Sequence, residues 1–113
     1  MIVKEIEKIK KIIVDKLESL KVEDIEVIDI SKKSSLANYL IIGTGRSSKN
    51  IDAALELINI ELKKNGIIGV KPEGDSSTGW VLLDTRDIIV HLFLKEVREK
   101  YKIEELFNKK TVD

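Results

Sequence analysis

The sequence has no cysteine, a single histidine, a single proline and a single tryptophan among its 113 residues. Without cysteine, neither a disulfide framework nor a thiolate metal site can form. One histidine alone cannot build a histidine metal cluster or a relay of two histidines. This composition fits a reducing cytosol and gives no support for an extracellular protein. Stability must therefore come from an apolar core, which one domain of this length can bury.

An excess of charge and long apolar runs are also missing. The 20 Lys and Arg residues balance 20 Asp and Glu residues, so the positive field typical of nucleic-acid-binding proteins is absent. The first ten residues mix charged with apolar side chains, whereas a signal peptide or membrane span needs an uninterrupted apolar stretch. We expect a cytoplasmic protein without cofactor, metal, membrane association or strong direct nucleic-acid binding.

Hydrophobic spacing predicts a helix over 1–20, because apolar residues recur there at steps of three and four. The stripe consists of Ile2, Ile6, Ile9, Ile13, Leu17 and Leu20. Alternation predicts a strand over 24–30, and the apolar run 39–42 predicts a central strand that stops at Gly43-Thr44-Gly45. A second helix is predicted from Ser47 or Ser48 to Asn65.

The second half of the chain is predicted to be mostly strands. We expect a short strand over 67–71 that ends at Pro72, a loop over 73–79, and a hairpin of strands 80–84 and 87–93 that turns at Thr85-Arg86. One or two helical turns follow from Lys95, and the tail over 108–113 is expected to fray. The order α-β-β-α-β-β-β-α predicts a single α/β domain, 1–113, with a mixed β-sheet and flanking helices.

The segment from Gly43 to Ser48 lies between a strand and a helix, where free backbone amides and the helix dipole can hold an anion. Gly45, Arg46, Ser47 and Ser48 are therefore a candidate anion site. The segment lacks the third glycine of a dinucleotide fingerprint and the Gly-Lys-Ser/Thr of a phosphate loop. A tight turn with an N-cap serine and a solvated arginine is the favoured interpretation.

His91 and the pair Asp84 and Asp87 are the other polar residues that could carry chemistry. His91 alternates with Ile89 and Phe93, which favours a packed, hydrogen-bonded histidine over a catalyst. Asp84 and Asp87 flank the predicted turn and could bind a metal. Aspartate is common at turns because its carboxylate accepts hydrogen bonds from nearby amides, so a turn role is favoured.

Trp80 lies in a strand where Trp80, Leu82 and Asp84 share one face and Val81 and Leu83 share the other. If Val81 and Leu83 fill the core, Trp80 and Leu82 form an exposed apolar patch, and such patches commonly mark protein interfaces. The alternative is that Trp80 belongs to the core. Alternation alone does not decide between the two.

Several segments together resemble the Iojap family of ribosomal silencing factors, over 22–107. They are 29–45, Glu73-Gly74, Trp80-Val-Leu-Leu-Asp84 and Asp87-Ile-Ile-Val-His-Leu-Phe93, together with Arg98, Tyr101, Glu104 and Leu106. The resemblance implies a nucleotidyltransferase-like fold without the catalytic carboxylates, and hence no enzyme activity. It implies docking on a large-subunit ribosomal protein at the subunit interface, which sterically blocks joining of the small subunit and represses translation. It also implies a homodimer that uses the overlapping surface.

The resemblance places Trp80 on the outside of the sheet. We therefore expect Trp80 and Leu82 to be apolar anchors for the partner, with Glu73, Asp84 and Asp87 as an acidic rim facing a basic surface. The family often has glycine as the second residue of the hairpin turn, where this chain has Arg86, and arginine rarely adopts positive φ.

Two other functions remain open at the level of the sequence. A nucleotidyltransferase would need paired carboxylates soon after the Gly-Ser turn, where this chain has only the isolated Asp52. A plain dimerisation module would use the same exposed sheet.

Overall fold

The computed structural model describes residues 3–32 and 37–102. The described part of the chain forms three helices and five strands in the predicted order. They are α1 (Val3–Ser19), β1 (Glu23–Asp29), β2 (Tyr39–Gly45), α2 (Ser48–Lys64), β3 (Pro72–Asp75), β4 (Trp80–Asp84), β5 (Ile88–Leu94) and α3 (Lys95–Tyr101), with a 3-10 turn at Ser76–Thr78.

The helix α1 presents its predicted apolar stripe to the core. Ile6, Ile9, Ile13 and Leu17 are buried, and Leu20, just beyond the helix end, is partly buried. Ile2 lies outside the described residues. The stripe packs against α2, where Ile51, Ala54, Leu55, Ile58 and Leu62 are buried at the same helical spacing.

The strands form one mixed sheet in the order β1-β2-β5-β4-β3. The central pair, β2 and β5, is parallel, and the other three pairs are antiparallel. The prediction of a single α/β domain with a mixed sheet and flanking helices is confirmed. The central position of β2 is confirmed too, because it lies between β1 and β5.

The two faces of the sheet carry separate apolar clusters. One face packs against α1 and α2 and includes Ile41, Val81, Leu83, Val90 and Leu92. The opposite face, which we call the outer face, carries a smaller cluster. Its buried members include Ile28, Leu40, Ile42 and Phe93, and Trp80, Ile89 and Val97 are partly buried against them.

Two strand predictions were wrong. The strand β2 does not stop at residue 42 but continues through Gly45, because Gly43, Thr44 and Gly45 pair with β5 as regular strand residues. Residues 67–71 are not a strand, and the strand pairing with β4 is instead Pro72–Asp75, which had been assigned to a loop. Pro72 is tolerated there because it begins an edge strand, where one side of the backbone needs no ladder partner.

The C-terminal segment is helical after Lys95, as predicted, and α3 ends at Tyr101. The tail over 108–113, which is expected to fray, lies outside the described residues.

Candidate functional site

The outer face brings together four of the five residues predicted to bind a partner. Val81 and Leu83 are buried against the helices, so Trp80, Leu82 and Asp84 alternate onto the outer face. Glu73 joins them there, because it pairs with Leu82 across β3 and β4. We call these four residues and Asp87 the docking face.

Trp80 is neither fully buried nor fully displayed. It is half-buried, and its ring packs against Phe93 and Tyr101, each with a centroid 5.0 Å away, and against His91 at 5.9 Å. Phe93 is its cross-strand partner on β5, and Tyr101 reaches it from α3. Tilted rings at these separations attract each other, so the indole is held on three sides and one part of it stays accessible.

His91 is a buried, hydrogen-bonded residue, as the favoured sequence interpretation predicted. It is 6% exposed, and its Nδ1 accepts a hydrogen bond of 3.0 Å from the indole Nε1–H of Trp80. Burial lowers the pKa of His91 from 6.5 to about 4. The imidazole is therefore neutral near pH 7, and an Nδ1 that accepts a hydrogen bond places the ring proton on Nε2.

Acidic side chains border the apolar part of the docking face. Glu73 and Asp84 are exposed, and the neighbouring Asp75, which the sequence prediction did not include, is exposed opposite Trp80. The pKa of the Asp75 carboxyl is lowered, because it accepts a hydrogen bond of 2.9 Å from the Ser77 backbone amide. The carboxylates give this border a negative charge at neutral pH.

The hairpin between β4 and β5 differs from the predicted one by two residues in register. Thr85 and Ile88 face each other through a hydrogen bond of 2.9 Å, so the turn residues are Arg86 and Asp87 rather than Thr85 and Arg86. Asp84 consequently pairs with Ile89. A shift of two residues leaves every side chain on its predicted face but changes its cross-strand neighbour.

At the turn, Asp84 and Asp87 both accept hydrogen bonds, and Arg86 adopts a positive φ that is unfavourable for arginine. Arg86 adopts a φ of 82°, a conformation that glycine adopts far more readily than arginine. The Asp84 carboxylate accepts a hydrogen bond of 2.8 Å from the Arg86 amide, and the Asp87 carbonyl accepts from the amides of Asn38 and Tyr39. This geometry supports the turn role of Asp84 over a metal-binding role.

Arg98 on α3 is a buried cation that sequence reasoning did not single out, apart from its place in the family pattern. Its guanidinium donates to the Asp24 carbonyl at 2.7 Å and to the Thr44 hydroxyl at 2.8 Å, and it pairs with the Glu26 carboxylate at 3.2 Å. An open cavity of about 550 Å³ borders these groups and is also lined by Lys95, Glu99 and Lys102. Arg98 therefore fixes α3 over β1 and β2, and α3 in turn places Tyr101 on Trp80.

The candidate anion site has the local geometry of a helix cap. Ser47 is the N-cap of α2 and accepts a hydrogen bond of 3.1 Å from the Asn50 amide, while the Arg46 amide donates to the Asn50 side chain at 3.0 Å. Arg46 is exposed, and its guanidinium contacts the Leu20 carbonyl. Ser48 begins the helix. These contacts support the N-cap interpretation, and anion binding by this segment stays a prediction.

Gly45 has a packing role at the start of this segment. A Cβ atom at Gly45 would lie 2.4 Å from Cγ1 of Ile51. Glycine therefore allows α2 to approach the end of β2 closely.

Asp52, the carboxylate considered for nucleotidyl transfer, is exposed on α2. Within 3–32 and 37–102, no three His, Cys, Asp or Glu side chains converge in a way that could hold a metal ion. The same ranges contain no helix with the length and apolar character to cross a membrane.

Comparisons with known proteins identify relatives over nearly the whole chain. The family model described as "Ribosomal silencing factor during starvation" matches residues 3–113. The ribosomal silencing factor of Chromobacterium violaceum is 39% identical over 103 residues, which cover 91% of this chain and 84% of that protein. A mouse protein named mitochondrial assembly of ribosomal large subunit protein 1 is 31% identical over 80% of this chain and 41% of its own length.

The fold is similar to that of a solved relative. A crystal structure of a Chromobacterium violaceum protein superimposes with a TM-score of 0.85 at 35% identity, over 100% of this chain and 92% of that one. The similarity extends over all helices and strands described above.

Proposed function

This chain belongs to the family of ribosomal silencing factors, and on that basis we propose that it docks on a large-subunit ribosomal protein and sterically blocks joining of the small subunit. The family match from residue 3 to residue 113 is the observation that carries this proposal. The name of the mouse relative refers to the large ribosomal subunit, which favours that subunit as the target. The proposed role places the protein in the cytoplasm as a repressor of translation.

The docking face is the proposed contact surface. Trp80 and Leu82 are partly accessible apolar side chains near its centre, and tryptophan is enriched among the residues that dominate binding energy. The exposed carboxylates of Glu73 and Asp84 suit a basic partner, as ribosomal proteins commonly are. A net charge of zero agrees with a contact that is chiefly between proteins.

The proposed activity needs a complementary surface and no chemical step. A bound protein at the subunit interface excludes the small subunit by occupying its space. We therefore propose that the protein is not an enzyme. We also propose that the free protein forms a homodimer through the same face.

Sedimentation of purified large subunits through sucrose gradients tests the proposal. We expect the wild-type protein to co-sediment with large subunits and to reduce the formation of whole ribosomes when small subunits are added. Trp80→Ala should weaken binding roughly thirtyfold, because truncation of such a residue typically costs about 2 kcal/mol.

A matched control uses an exposed apolar residue on the other side of the molecule. Ile60 on α2 is 43% exposed, and Ile60→Ala should bind large subunits like the wild type. Absence of the wild-type protein from the large-subunit fractions would refute the proposed function. Wild-type binding by Trp80→Ala would refute the docking face.

A further inference from the structure

We infer that His91 is a positioning residue of the docking face, which selects one orientation of the Trp80 indole through the Nε1–H···Nδ1 hydrogen bond. This inference rests on the proposed function and deepens it. It assigns a role to a buried residue that has no access to the partner.

Ring packing alone leaves the orientation of the indole ambiguous. Phe93 and Tyr101 contact Trp80 through ring surfaces, with interplanar angles of 32° and 40°. The hydrophobic part of these contacts is non-directional, so a ring rotated by half a turn about its axis keeps much of the same contact area. The hydrogen bond of 3.0 Å to His91 distinguishes the two orientations, because only one of them brings Nε1 to Nδ1.

His91 is itself held in place by its neighbours. It pairs with Leu82 on β4 and with Ile42 on β2, and its ring stacks on Phe93 at an interplanar angle of 7°. A fixed acceptor on a central strand is the support that a precise contact residue needs. The position of the His91 imidazole on β5 therefore determines the position of the Trp80 indole.

The acceptor stays available under physiological conditions. Burial lowers the pKa of His91 to about 4, so the ring remains neutral and Nδ1 keeps its lone pair far below neutral pH. Charged and titratable groups on the elements around the outer face include Asp24 and Glu26 on β1, Glu73 and Asp75 on β3, Asp84 on β4, and Lys95, Arg98, Glu99 and Tyr101 on α3. Desolvation of the buried ring lowers the pKa of His91, and the charges of these groups are not the cause.

Holding the indole before binding favours association, because an already ordered side chain loses less freedom at the interface. A loose Trp80 would have to be ordered by the partner. Removing the acceptor should therefore weaken binding even though His91 itself is buried.

Nuclear magnetic resonance of the free protein tests the hydrogen bond directly, because Trp80 is the only tryptophan and gives one indole N–H signal. We expect slow exchange of this proton with solvent in the wild type. His91→Leu should speed the exchange at least tenfold, whereas His91→Asn, which keeps an acceptor at the δ position, should retain most of the protection. The His91 ring nitrogens should show the Nε2–H tautomer, a readout that needs no variant. A proton on Nδ1, or fast indole exchange in the wild type, would overturn the inference.

Binding to purified large subunits tests the consequence for docking. His91→Leu should lower the affinity about fivefold, the effect typical of one hydrogen bond. In a Trp80→Phe background, which lacks the indole donor, His91→Leu should have no further effect. Ile89→Ala, a packing change on the same strand and face, should reduce the affinity equally with Trp80 or Phe at position 80.

The two possible failures give different results. If Trp80→Ala binds large subunits like the wild type, the docking face itself is wrong. If Trp80→Ala weakens binding but His91→Leu does not, the docking face stands and the positioning role of His91 is refuted.

Discussion

At the scale of single residues, His91 links the stability of the protein to pH. The pKa of a histidine is about 6.5 in the unfolded chain and about 4 in the folded protein. Between these values the unfolded chain binds more protons than the folded one, so the free energy of unfolding falls as the pH falls from about 6.5 to about 4. Well above pH 6.5 the histidine is neutral in both states, and His91 then adds no pH dependence to the free energy of unfolding.

Urea unfolding at a series of pH values measures this effect. His91→Asn does not titrate in this range, so its stability should change less between pH 6.5 and pH 4.5 than that of the wild type. The pKa values of Glu7, Asp29 and Asp75 are also lowered, from 4.5, 3.8 and 3.8, and these carboxylates lose their contribution only at lower pH. If the free energies of unfolding of the two proteins changed equally between pH 6.5 and pH 4.5, the assignment of this pH dependence to His91 would be contradicted.

The position of Trp80 shows what alternation can and cannot predict. Alternation correctly grouped Trp80 with Leu82 and Asp84 on one face of β4. It could not identify the neighbours of Trp80, because these depend on the register of the hairpin and on a third ring from α3. With the turn at Thr85-Arg86, Trp80 would have paired with His91. In the structure it pairs with Phe93 and contacts His91 diagonally, which brings the indole N–H to the imidazole.

At the scale of secondary-structure elements, Arg98 fixes α3 to the sheet. Residues 23–26 of β1 contain an irregularity in register, and Asp24 within it has a φ of 48°. The Asp24 carbonyl there accepts a hydrogen bond from the Arg98 guanidinium, which also reaches Thr44 on β2. An arginine can serve these acceptors together because its donors are arranged in a planar fork.

Arg98→Met should destabilise the protein by about 2 kcal/mol, because it removes the charged donor from the buried Thr44 hydroxyl and the Asp24 carbonyl while it keeps an unbranched aliphatic stem. We also expect faster amide hydrogen exchange in α3 and a more mobile Trp80, since Tyr101 depends on the placement of this helix. Lys95→Met, an exposed change on the same helix, is the matched control and should leave stability within about 0.5 kcal/mol of the wild type. Equal stability of Arg98→Met and Lys95→Met in urea unfolding would contradict this role.

The elements differ in how well the sequence predicts them. The helices α1 and α2 were found because each buries a long stripe at regular spacing, and α2 also has a serine N-cap. The strand β3 was missed because its residues, Pro-Glu-Gly-Asp, are all exposed and carry no alternation. It forms only because β4 offers it a backbone ladder, which is tertiary information. The apolar residues 67–71 looked like the better strand, although Ile68 is 74% exposed in the structure.

At the scale of the whole molecule, the two faces of the sheet have unequal cover. The long helices α1 and α2 pack over one face, whereas the described residues outside the strands that pack on the outer face include Ile30, Ala37 and Val97 of the seven-residue α3. The molecule measures 40 × 36 × 21 Å along its principal axes, so its broad sides offer ample area for a stable contact of about 800 Å² per partner. The outer face is therefore the proposed site both for the ribosomal partner and for a second copy of the chain.

If one face serves both contacts, the homodimer and the partner complex must exclude each other. Sedimentation equilibrium should show a concentration-dependent dimer of the free protein, and addition of the isolated ribosomal partner should convert it to a complex with one copy of each chain. Trp80→Ala should weaken both contacts together, whereas Ile60→Ala on the opposite side should weaken neither. A complex that holds two copies of this chain per partner would contradict a shared surface, because the second copy would then have to bind elsewhere. If Trp80→Ala still dimerised but no longer bound the partner, the two contacts would use different surfaces, and the shared surface would again be contradicted.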